Sequence, residues 1–305
     1  MLPDVTFTVT AFERPRALAK CLDSIARFYP KAEVIVVDNS EKAELIPERA
    51  KQGLKLRYVN LPFDSGVTVC RNEAMDLATT KYVMVLEDDF EFTAETRIER
   101  MREILETRPD IGIVAGALIY DGPSRRELVS KLDIHRAGGR YEVIPINVRN
   151  YEQIDGTRFC QADYVFNFFL MRRDLGIRWD PELKTGIEHV DFFLRFKEMG
   201  TSKTVFTPDV VALHHQGRPS AKYTKYRRRL KYWKMFFEKT GFRHGINRYD
   251  LSVMNHEGKV RMSYPEYVFK LMAALNKERM AVTPRVKYQP PSEEAKNGRP
   301  NCDLG

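Results

Sequence analysis

The residues of this sequence best suited to chemistry are three consecutive carboxylates. Glu87, Asp88 and Asp89 follow directly on the apolar run 82–86. Three acids at one point repel one another, and a divalent cation among them makes the arrangement favourable, because Mg²⁺ and Mn²⁺ take carboxylate and phosphate oxygens as ligands. The sequence therefore predicts a metal site after this run, and the alternative is a solvated acidic turn.

The elements that position these acids follow a βα alternation. The run before the acids is typical of a strand buried on both faces of a parallel sheet, and such sheets bind ligands beyond the carboxyl ends of their strands. Further strands are predicted at 5–10, 33–37 and 56–60, and apolar stripes at helical spacing follow Pro15 and Gly66. The pattern predicts the α/β class, with a mostly parallel sheet flanked by helices.

The second part of the chain is predicted to extend this sheet. The predicted elements are a helix after Thr93, strands at 111–120 and 164–171, a helix over 186–200, and short strands at 204–206 and 210–213. The last of these strands ends at His214 and His215, which places two imidazoles at a strand end. A further helix is predicted around 267–275.

The composition indicates anionic partners. The 305 residues carry a net charge of +8 and have a sequence pI of about 9.2, so nucleotides, phospholipids and nucleic acids all qualify at this level. The four cysteines include no CxxC pair, which argues against a zinc knuckle and suits a reducing compartment. With no signal peptide and no apolar run near 18 residues, we expect a cytoplasmic protein, soluble or bound to a membrane at its surface.

Four motifs occur in the order and spacing of a known family. They are residues 8–15 (TVTAFERP), 36–40 (VVDNS), 64–66 (DSG) followed by Arg71 and Asn72, and 87–89 (EDD). Together they resemble a GT-A glycosyltransferase of the family 2 type. The later half resembles the β-1,4-N-acetylgalactosaminyltransferases that make ganglioside and related glycans, at residues 167–170, 188–193 and 209–214. The resemblance covers about residues 5 to 215 and implies a GT-A fold.

The resemblance implies a UDP-sugar donor and a divalent ion, Mn²⁺ or Mg²⁺, which neutralises the charge of the departing diphosphate as a Lewis acid. It implies Asp89 and His214 as direct ligands of that ion. Asp88 and Glu87 are expected to touch metal-bound water or the ribose. His215 is the alternative ligand if the register is shifted by one residue.

The same resemblance places the nucleoside at the ends of the first two strands. Thr10, Phe12 and Arg14 match positions that line the uridine, and Asp38 matches the residue that hydrogen-bonds the uracil ring. Arg71 is expected to contact the uracil or the diphosphate, because a cation and free N–H groups at a helix start favour an anion. The alternatives are a turn cap for Asp38 and a solvated helix face for Arg71.

An inverting transfer needs a general base to take the proton of the acceptor hydroxyl. Related enzymes take it from a Glu-Asp pair that opens a helix, whereas this chain has Glu188-His189, as the N-acetylgalactosaminyltransferases that it resembles do. We expect His189 as the base, because neutral imidazole accepts a proton near neutral pH. Asp191 is the rival base, Glu188 is expected to bind sugar or acceptor hydroxyls, and a structural cap is the alternative for His189. Asn167, in an aromatic strand, is a further candidate sugar contact.

The composition also predicts the domain organisation. We expect a glycosyltransferase domain over 1–215, with a nucleotide-binding half (1–90) and an acceptor-binding, catalytic half (91–215). A basic, helical extension with a flexible, proline-rich tail is expected over 216–305, because the composition changes there and four prolines fall near the end.

One helical stretch of this extension, 222–239, interleaves Lys and Arg with Tyr, Trp and Phe. A helix of this kind can lie on an anionic membrane, which would suit a lipid-linked acceptor. The alternative is that its aromatic face packs on the catalytic domain. Nucleic-acid binding would need the same charges, but the sequence has no motif for it, so none is predicted.

The resulting hypothesis is a metal-dependent, inverting glycosyltransferase that uses a UDP-sugar, with GalNAc as the first candidate sugar. Transferases that use UDP-GlcNAc, UDP-galactose or UDP-glucose are alternatives, because few pocket residues decide the donor. A nucleotide- or carbohydrate-binding module without turnover is the alternative from another class. A nucleotidyltransferase, which also uses an acid cluster at a sheet edge, is a third.

Overall fold

A computed structural model of the chain describes residues 2–43, 46–120, 127–128, 132–146, 150–215, 221–227, 230–248, 252–255 and 258–261. Its first elements alternate between strand and helix, as the sequence predicts. They are β1 (Val5–Ala11), α1 (Pro15–Phe28), β2 (Glu33–Asp38), α2 (Glu48–Gly53), β3 (Lys55–Asn60), α3 (Val67–Leu77), β4 (Tyr82–Glu87), β5 (Phe90–Phe92), α4 (Ile98–Thr107) and β6 (Ile111–Tyr120).

The later elements include more short strands than the sequence predicts. They are β7 (Glu127–Leu128), β8 (Leu132–Ala137), β9 (Arg140–Pro145), β10 (Glu152–Ile154), β11 (Thr157–Gln161), β12 (Phe169–Arg172), α5 (Glu188–Met199), β13 (Lys203–His214), α6 (Ala221–Arg227), α7 (Leu230–Thr240), β14 (His244–Asn247), β15 (Ser252–Asn255) and β16 (Gly258–Arg261).

The described strands form two sheets. The larger has the order β10-β11-β13-β6-β12-β4-β1-β2-β3, with β5 paired to β13 and β7 to β6. Its centre is parallel between β4, β1, β2 and β3, and again between β6 and β13, while β12 runs antiparallel between β4 and β6. The smaller sheet has the order β16-β15-β14-β9-β8.

The central strands are buried on both faces, which is why β2 and β4 are almost continuously apolar, whereas β1 alternates apolar residues with buried threonines. On one face, Phe7 of β1 packs with Leu22 and Ile25 of α1. On the other face, Val85 of β4 lies in a cluster with Phe192 of α5. Each fully buried side chain of this size contributes about 1.5–3 kcal/mol to folding, so the two clusters fix the sheet and, with it, the positions of the strand ends.

Three predicted strands differ from the structure for local reasons. The strand predicted at 164–171 pairs only from Phe169, because Tyr164 instead bridges Leu132. The two strands predicted at 204–206 and 210–213 form one strand, β13, with a register shift between Phe206 and Val211. The helix predicted over 222–239 is helical in both parts that the structure describes, α6 and α7.

The segment after residue 215 is helical over α6 and α7 but also contributes strands. β14 pairs in parallel with β9, and β15 and β16 complete the smaller sheet. Residues up to 261 form one compact unit. The helix predicted around 267–275 and the flexible tail lie outside the described residues. The division of the chain into domains at residues 90 and 215 stays a prediction.

Candidate active site

The carboxyl ends of three strands meet at one edge of the larger sheet. The end of β4 lies beside the end of β1, with Thr10 in register with Glu87. The chain then turns through the acids into β5, which pairs with β13 so that Phe90 is opposite His214. This pairing brings the residue before Phe90, which is Asp89, to the end of β13.

Asp89 and His214, the two predicted metal ligands, are close together. His214 Nε2 lies 3.3 Å from Asp89 Oδ2, and the imidazole stacks on Tyr120 with ring centroids 5.3 Å apart. Burial raises the pKa of Asp89, but the hydrogen bond from His214 and the charge of Arg14 outweigh it, so the pKa falls to about 2. The Asp89 carboxylate is therefore ionised at neutral pH.

These two side chains fit a divalent ion that shares its coordination with a substrate. Asp89 Oδ1 is buried and has no hydrogen-bond partner within the described chain, as expected of an oxygen that ligates an ion when one is bound. No group of three or more His, Cys, Asp or Glu side chains among the described residues is placed to hold a metal. Two protein ligands suit an ion such as Mg²⁺ or Mn²⁺ that takes its remaining ligands from phosphate and water.

Arg14 covers the acid pair. Its Nε lies 3.3 Å from Asp88 Oδ2, its Nη1 lies 2.5 Å from Asp89 Oδ2, and its Nη2 donates to Asp88 Oδ1. Tyr223 of α6 lies on the other side, with its ring centroid 4.8 Å from the Arg14 guanidinium carbon. Burial raises the pKa of Asp88 to about 7, although Arg14 partly offsets it. Sequence patterns alone give no sign of this pairing.

Glu87 belongs to a second network that extends behind the cavity. Its Oε1 accepts hydrogen bonds from Arg71 Nη2 at 3.2 Å and from Asn167 Nδ2 at 2.6 Å. The other end of the Arg71 guanidinium, Nη1, is 3.8 Å from Glu188 Oε1. Arg71 is almost fully buried and lies over the Trp179 ring. Arg71 and Asn167 are predicted donor contacts, and both contact carboxylates that line the cavity.

A cavity of about 650 Å³, including its open mouth, lies at this edge of the sheet. Five of the predicted site residues line it: Thr10, Phe12, Arg14, Glu87 and Glu188. The structure therefore brings together residues from both ends of the predicted domain.

Asp38 does not line the cavity, in contrast to its neighbour Asn39. Its Oδ1 accepts hydrogen bonds from the backbone N–H of Ser40 at 2.8 Å and the Ser40 hydroxyl at 2.6 Å. Its Oδ2 accepts a hydrogen bond from the Tyr58 hydroxyl at 2.5 Å. This geometry agrees with the turn-cap alternative, and the role of Asp38 as a uracil contact stays a prediction.

His189 does not line the cavity. Its Nε2 bonds the carbonyl of Val165, and its ring lies 4.9 Å from that of Tyr164 and 5.0 Å from that of Phe193, centroid to centroid. Burial, followed by the charge of Arg71, lowers the pKa of His189 to about 3. The imidazole is neutral, as expected, but such a weak base in an aromatic setting is poorly suited to take a proton from a hydroxyl.

Asp191 and Glu188 differ in their partners. Asp191 Oδ2 accepts hydrogen bonds from Arg195 Nε at 2.9 Å and Nη2 at 2.6 Å. Burial raises its pKa, and Arg195 partly offsets the effect. Asp191 does not line the cavity, whereas Glu188 does. The base stays a prediction. Of the three residues expected to take part in catalysis, Glu188 lines the cavity, and the two predicted bases do not.

Sequence reasoning missed the part of the cavity wall that comes from α6. Tyr223 and Tyr226 both line the cavity, and both lie beyond the resemblance. Phe12 stacks on Phe63 with ring centroids 5.8 Å apart, and Tyr226 meets Phe63 edge-on at 5.0 Å. The aromatic and basic composition of the stretch was the available signal, but it does not say which side chains face inward.

Sequence reasoning also missed Lys184, which lines the cavity from the loop before α5. Its Nζ donates a hydrogen bond to the carbonyl of Asp64 at 2.7 Å, and its carbonyl accepts one from the N–H of Val67 at 3.0 Å. Gly66 permits this close approach. The loop of the DSG motif and the loop before α5 are therefore tied together at the cavity.

The aromatic side chains of 222–239 that are described pack mainly on the protein. Tyr232, Phe236 and Phe237 of α7 are buried in the core, and Phe236 meets Tyr141 of β9 edge-on at 5.6 Å. This is the packing alternative considered for the stretch. Contact of its basic side chains with an anionic membrane stays a prediction. Among the described residues, no helix is both long and apolar enough to cross a bilayer.

Comparisons with known proteins agree with this geometry. The profile of Glycosyl transferase family 2 matches residues 6–175. The chain is 33% identical over 221 residues to beta-1,4 N-acetylgalactosaminyltransferase 1 of Homo sapiens, covering 69% of this chain and 38% of that protein. It is 29% identical over 228 residues to beta-1,4 N-acetylgalactosaminyltransferase 2 of Mus musculus, covering 72% of this chain and 41% of that protein. The chain thus spans about two fifths of the length of these relatives.

Two solved structures share the fold at low sequence identity. GalNAc-T7 with UDP, GalNAc and Mn²⁺ superposes with a TM-score of 0.53 and 15% identity, covering 72% of this chain and 45% of that one. S. aureus TarS 1–349 in complex with UDP-GlcNAc superposes with a TM-score of 0.53 and 13% identity, covering 77% of this chain and 66% of that one. These similarities confirm the predicted α/β, GT-A fold.

Proposed function

Because the chain belongs to glycosyl transferase family 2, we propose that it moves a sugar from a UDP-sugar to a hydroxyl of a glycan or lipid-linked acceptor. GalNAc is the first candidate sugar, since the relatives reported above are named N-acetylgalactosaminyltransferases. One observation carries the proposal. Asp89 and His214 converge within 3.3 Å, beside an arginine that lines an open cavity.

The cavity residues suit the parts of such a donor. Thr10 and Phe12 offer a hydroxyl and an aromatic face to the nucleoside, and Arg14 offers a guanidinium to the diphosphate. Asp89 and His214 would hold the divalent ion. When bound, that ion supplies Lewis-acid stabilisation of the charge that develops on the leaving diphosphate.

We place the general base at Glu188 instead of His189 or Asp191. Glu188 lines the cavity, and its Oε1 lies 3.8 Å from Arg71 Nη1. The guanidinium stabilises the ionised carboxylate, which can then accept the proton of the acceptor hydroxyl. The deprotonated hydroxyl then attacks the sugar carbon that bears the diphosphate, and UDP leaves. Attack opposite to the leaving group inverts the configuration at that carbon.

The activity is tested by UDP release. The purified protein is incubated with UDP-GalNAc, UDP-GlcNAc, UDP-galactose or UDP-glucose, with Mn²⁺ or with a chelator. We expect release with one preferred donor, dependent on the ion, and a loss of about hundredfold or more in Asp89→Asn and His214→Ala. Glu48→Gln, a change of an exposed acid on α2, is the control.

Other outcomes of this assay would support the alternatives. Tight binding of a nucleotide sugar with no UDP release for any donor and acceptor would indicate a binding module. Release of pyrophosphate from UTP and a sugar phosphate would indicate a nucleotidyltransferase. UDP release that persists unchanged in chelator would contradict the metal-dependent mechanism.

The base is tested by three matched variants. Glu188→Gln should lower kcat by about 10²- to 10⁴-fold, which is the usual contribution of a general base, while UDP affinity changes by only a few-fold. His189→Gln and Asp191→Asn should keep more activity than Glu188→Gln. If His189→Gln loses turnover and Glu188→Gln does not, His189 is the base and the assignment to Glu188 is wrong.

A further inference from the structure

Arg14 separates the acid pair from the cavity. The guanidinium lines the cavity, whereas Asp88 and Asp89 do not. Asp88 is fully buried, and the Asp89 side chain is 9% exposed. The Arg14 side chain is 24% exposed, so it reaches solvent through the cavity while its nitrogens bond both acids. An ion that enters from the cavity therefore meets Arg14 before it meets the carboxylates.

Arg14 also pairs with the carboxylate oxygens that would otherwise attract an ion. Its nitrogens bond three of the four carboxylate oxygens of Asp88 and Asp89, and the remaining one, Asp89 Oδ1, is buried without a partner in the described structure. A bidentate guanidinium–carboxylate pair is among the stronger hydrogen-bonded contacts in proteins. Breaking it without a replacement leaves a half-buried cation unpaired, which is costly.

We infer that Arg14 keeps the acid pair closed to a divalent ion on its own, and that a ligand carrying a diphosphate opens it. This inference rests on the proposed function. The diphosphate offers Arg14 new anionic oxygens with the geometry that guanidinium prefers. Arg14 then exchanges its carboxylate partners for phosphate, and Asp89 becomes available to the ion. Arg14 in this way makes the binding of the ion depend on the binding of the nucleotide.

The inference predicts a coupling between two ligands. The protein binds Mn²⁺ weakly without nucleotide and more tightly with UDP, and by linkage Mn²⁺ tightens UDP by the same factor. Arg14→Ala removes the competing cation. It should bind Mn²⁺ without UDP more tightly than the wild type does, and UDP should raise its Mn²⁺ affinity by a smaller factor than in the wild type, because the diphosphate still supplies ligands to the ion.

Free Mn²⁺ is measured by electron paramagnetic resonance during titration, with and without UDP, for the wild type, Arg14→Ala, Arg14→Lys and Arg16→Ala. Arg16 is an exposed arginine on α1 and serves as the matched control. We expect UDP to raise Mn²⁺ affinity about tenfold or more in the wild type and in Arg16→Ala. Without UDP, Arg14→Ala should bind Mn²⁺ more tightly than the wild type does, and Arg14→Lys should lie between the two, because Lys keeps a charge but cannot bond two acids in the same way.

A second measurement guards against a folding defect. Circular dichroism reports whether each variant is folded, and Mn²⁺ alone should raise the Tm of Arg14→Ala but not that of the wild type. If folded Arg14→Ala and Arg14→Lys bind Mn²⁺ without UDP no more tightly than the wild type, while the wild type with UDP binds it well, the inference is wrong and the proposed function stands. If the wild type with UDP binds no Mn²⁺, the proposed metal-dependent function fails as well.

Discussion

Gly66 is the position near the cavity at which we expect substitution by alanine to lower the free energy of unfolding most. Its φ is +101° and ψ is 151°, a region that is essentially restricted to glycine and costs other residues about 1–3 kcal/mol. A Cβ built there would lie 2.6 Å from the Cβ of Lys184 and 3.1 Å from its Cα. Relieving such overpacking costs about a further 1–3 kcal/mol. We therefore expect Gly66→Ala to lose about 2–6 kcal/mol of unfolding free energy.

The measurement is urea unfolding, with Gly200→Ala as the matched control. Gly200 ends α5 at φ +64° and has no atom within 4 Å of a built Cβ, so alanine there costs only backbone strain, about 1 kcal/mol. Because Lys184 lines the cavity, Gly66→Ala should also weaken UDP binding, and Gly200→Ala should not.

A double-mutant cycle separates strain from collision. In a Lys184→Gly background the Cβ that the new methyl group would meet is absent, so Gly66→Ala should cost about the backbone strain alone. Equal losses for Gly66→Ala and Gly200→Ala in the wild-type background would refute the argument that the two loops touch at this glycine.

Three further predictions concern the pH response, the α7 anchor and the aromatic wall. The pKa of His189 is lowered to about 3 by burial, against an ordinary value of about 6.5, so the folded state binds fewer protons than the unfolded state between those values. Between pH 6.5 and pH 4.5, the free energy of unfolding measured in urea should therefore fall by about 2–3 kcal/mol more in the wild type than in His189→Phe. Equal losses in the two proteins would contradict the burial of a neutral imidazole. Phe236→Ala should cost about 3–5 kcal/mol because the ring is fully buried, while Leu230→Ala, at a side chain with a relative exposure of 52%, should cost less than about 0.5 kcal/mol; similar small costs would mean that α7 is only loosely attached. Tyr226→Ala should weaken UDP binding about two- to tenfold by calorimetry, the range of one aromatic contact, and Tyr151→Ala, at a more exposed tyrosine, should leave it unchanged; an unaltered Kd in Tyr226→Ala would remove α6 from the nucleotide site.

The sequence predicts the first half of the fold well because local patterns determine it. Strands such as β2 and β4 are buried on both faces, so their apolar runs directly indicate strands. The smaller sheet could not be predicted in the same way. Its parallel pair joins Arg140–Pro145 to His244–Asn247, and neither segment carries a pattern that indicates a partner so far along the chain.

The site divides in the same manner. Sequence reasoning placed Asp89 and His214 at strand ends, and the pairing of β5 with β13 brings them together. It could not foresee which way long side chains extend. Arg14 bonds Asp89 and Arg71 bonds Glu87, while their roles as ligand contacts stay predictions. Side-chain direction at that level depends on the packed neighbours, which single-sequence patterns do not contain.

The two helices after residue 215 give one short stretch of chain two duties. α6 supplies Tyr223 and Tyr226 to the cavity wall, and α7, which follows almost at once, is fixed in the core by Phe236 and Phe237. A recombination event between β13 and α6 would therefore replace the aromatic cavity wall of α6 and the buried helix α7 together. Relatives that vary this block could change what the pocket admits while the strand-end chemistry is inherited unaltered.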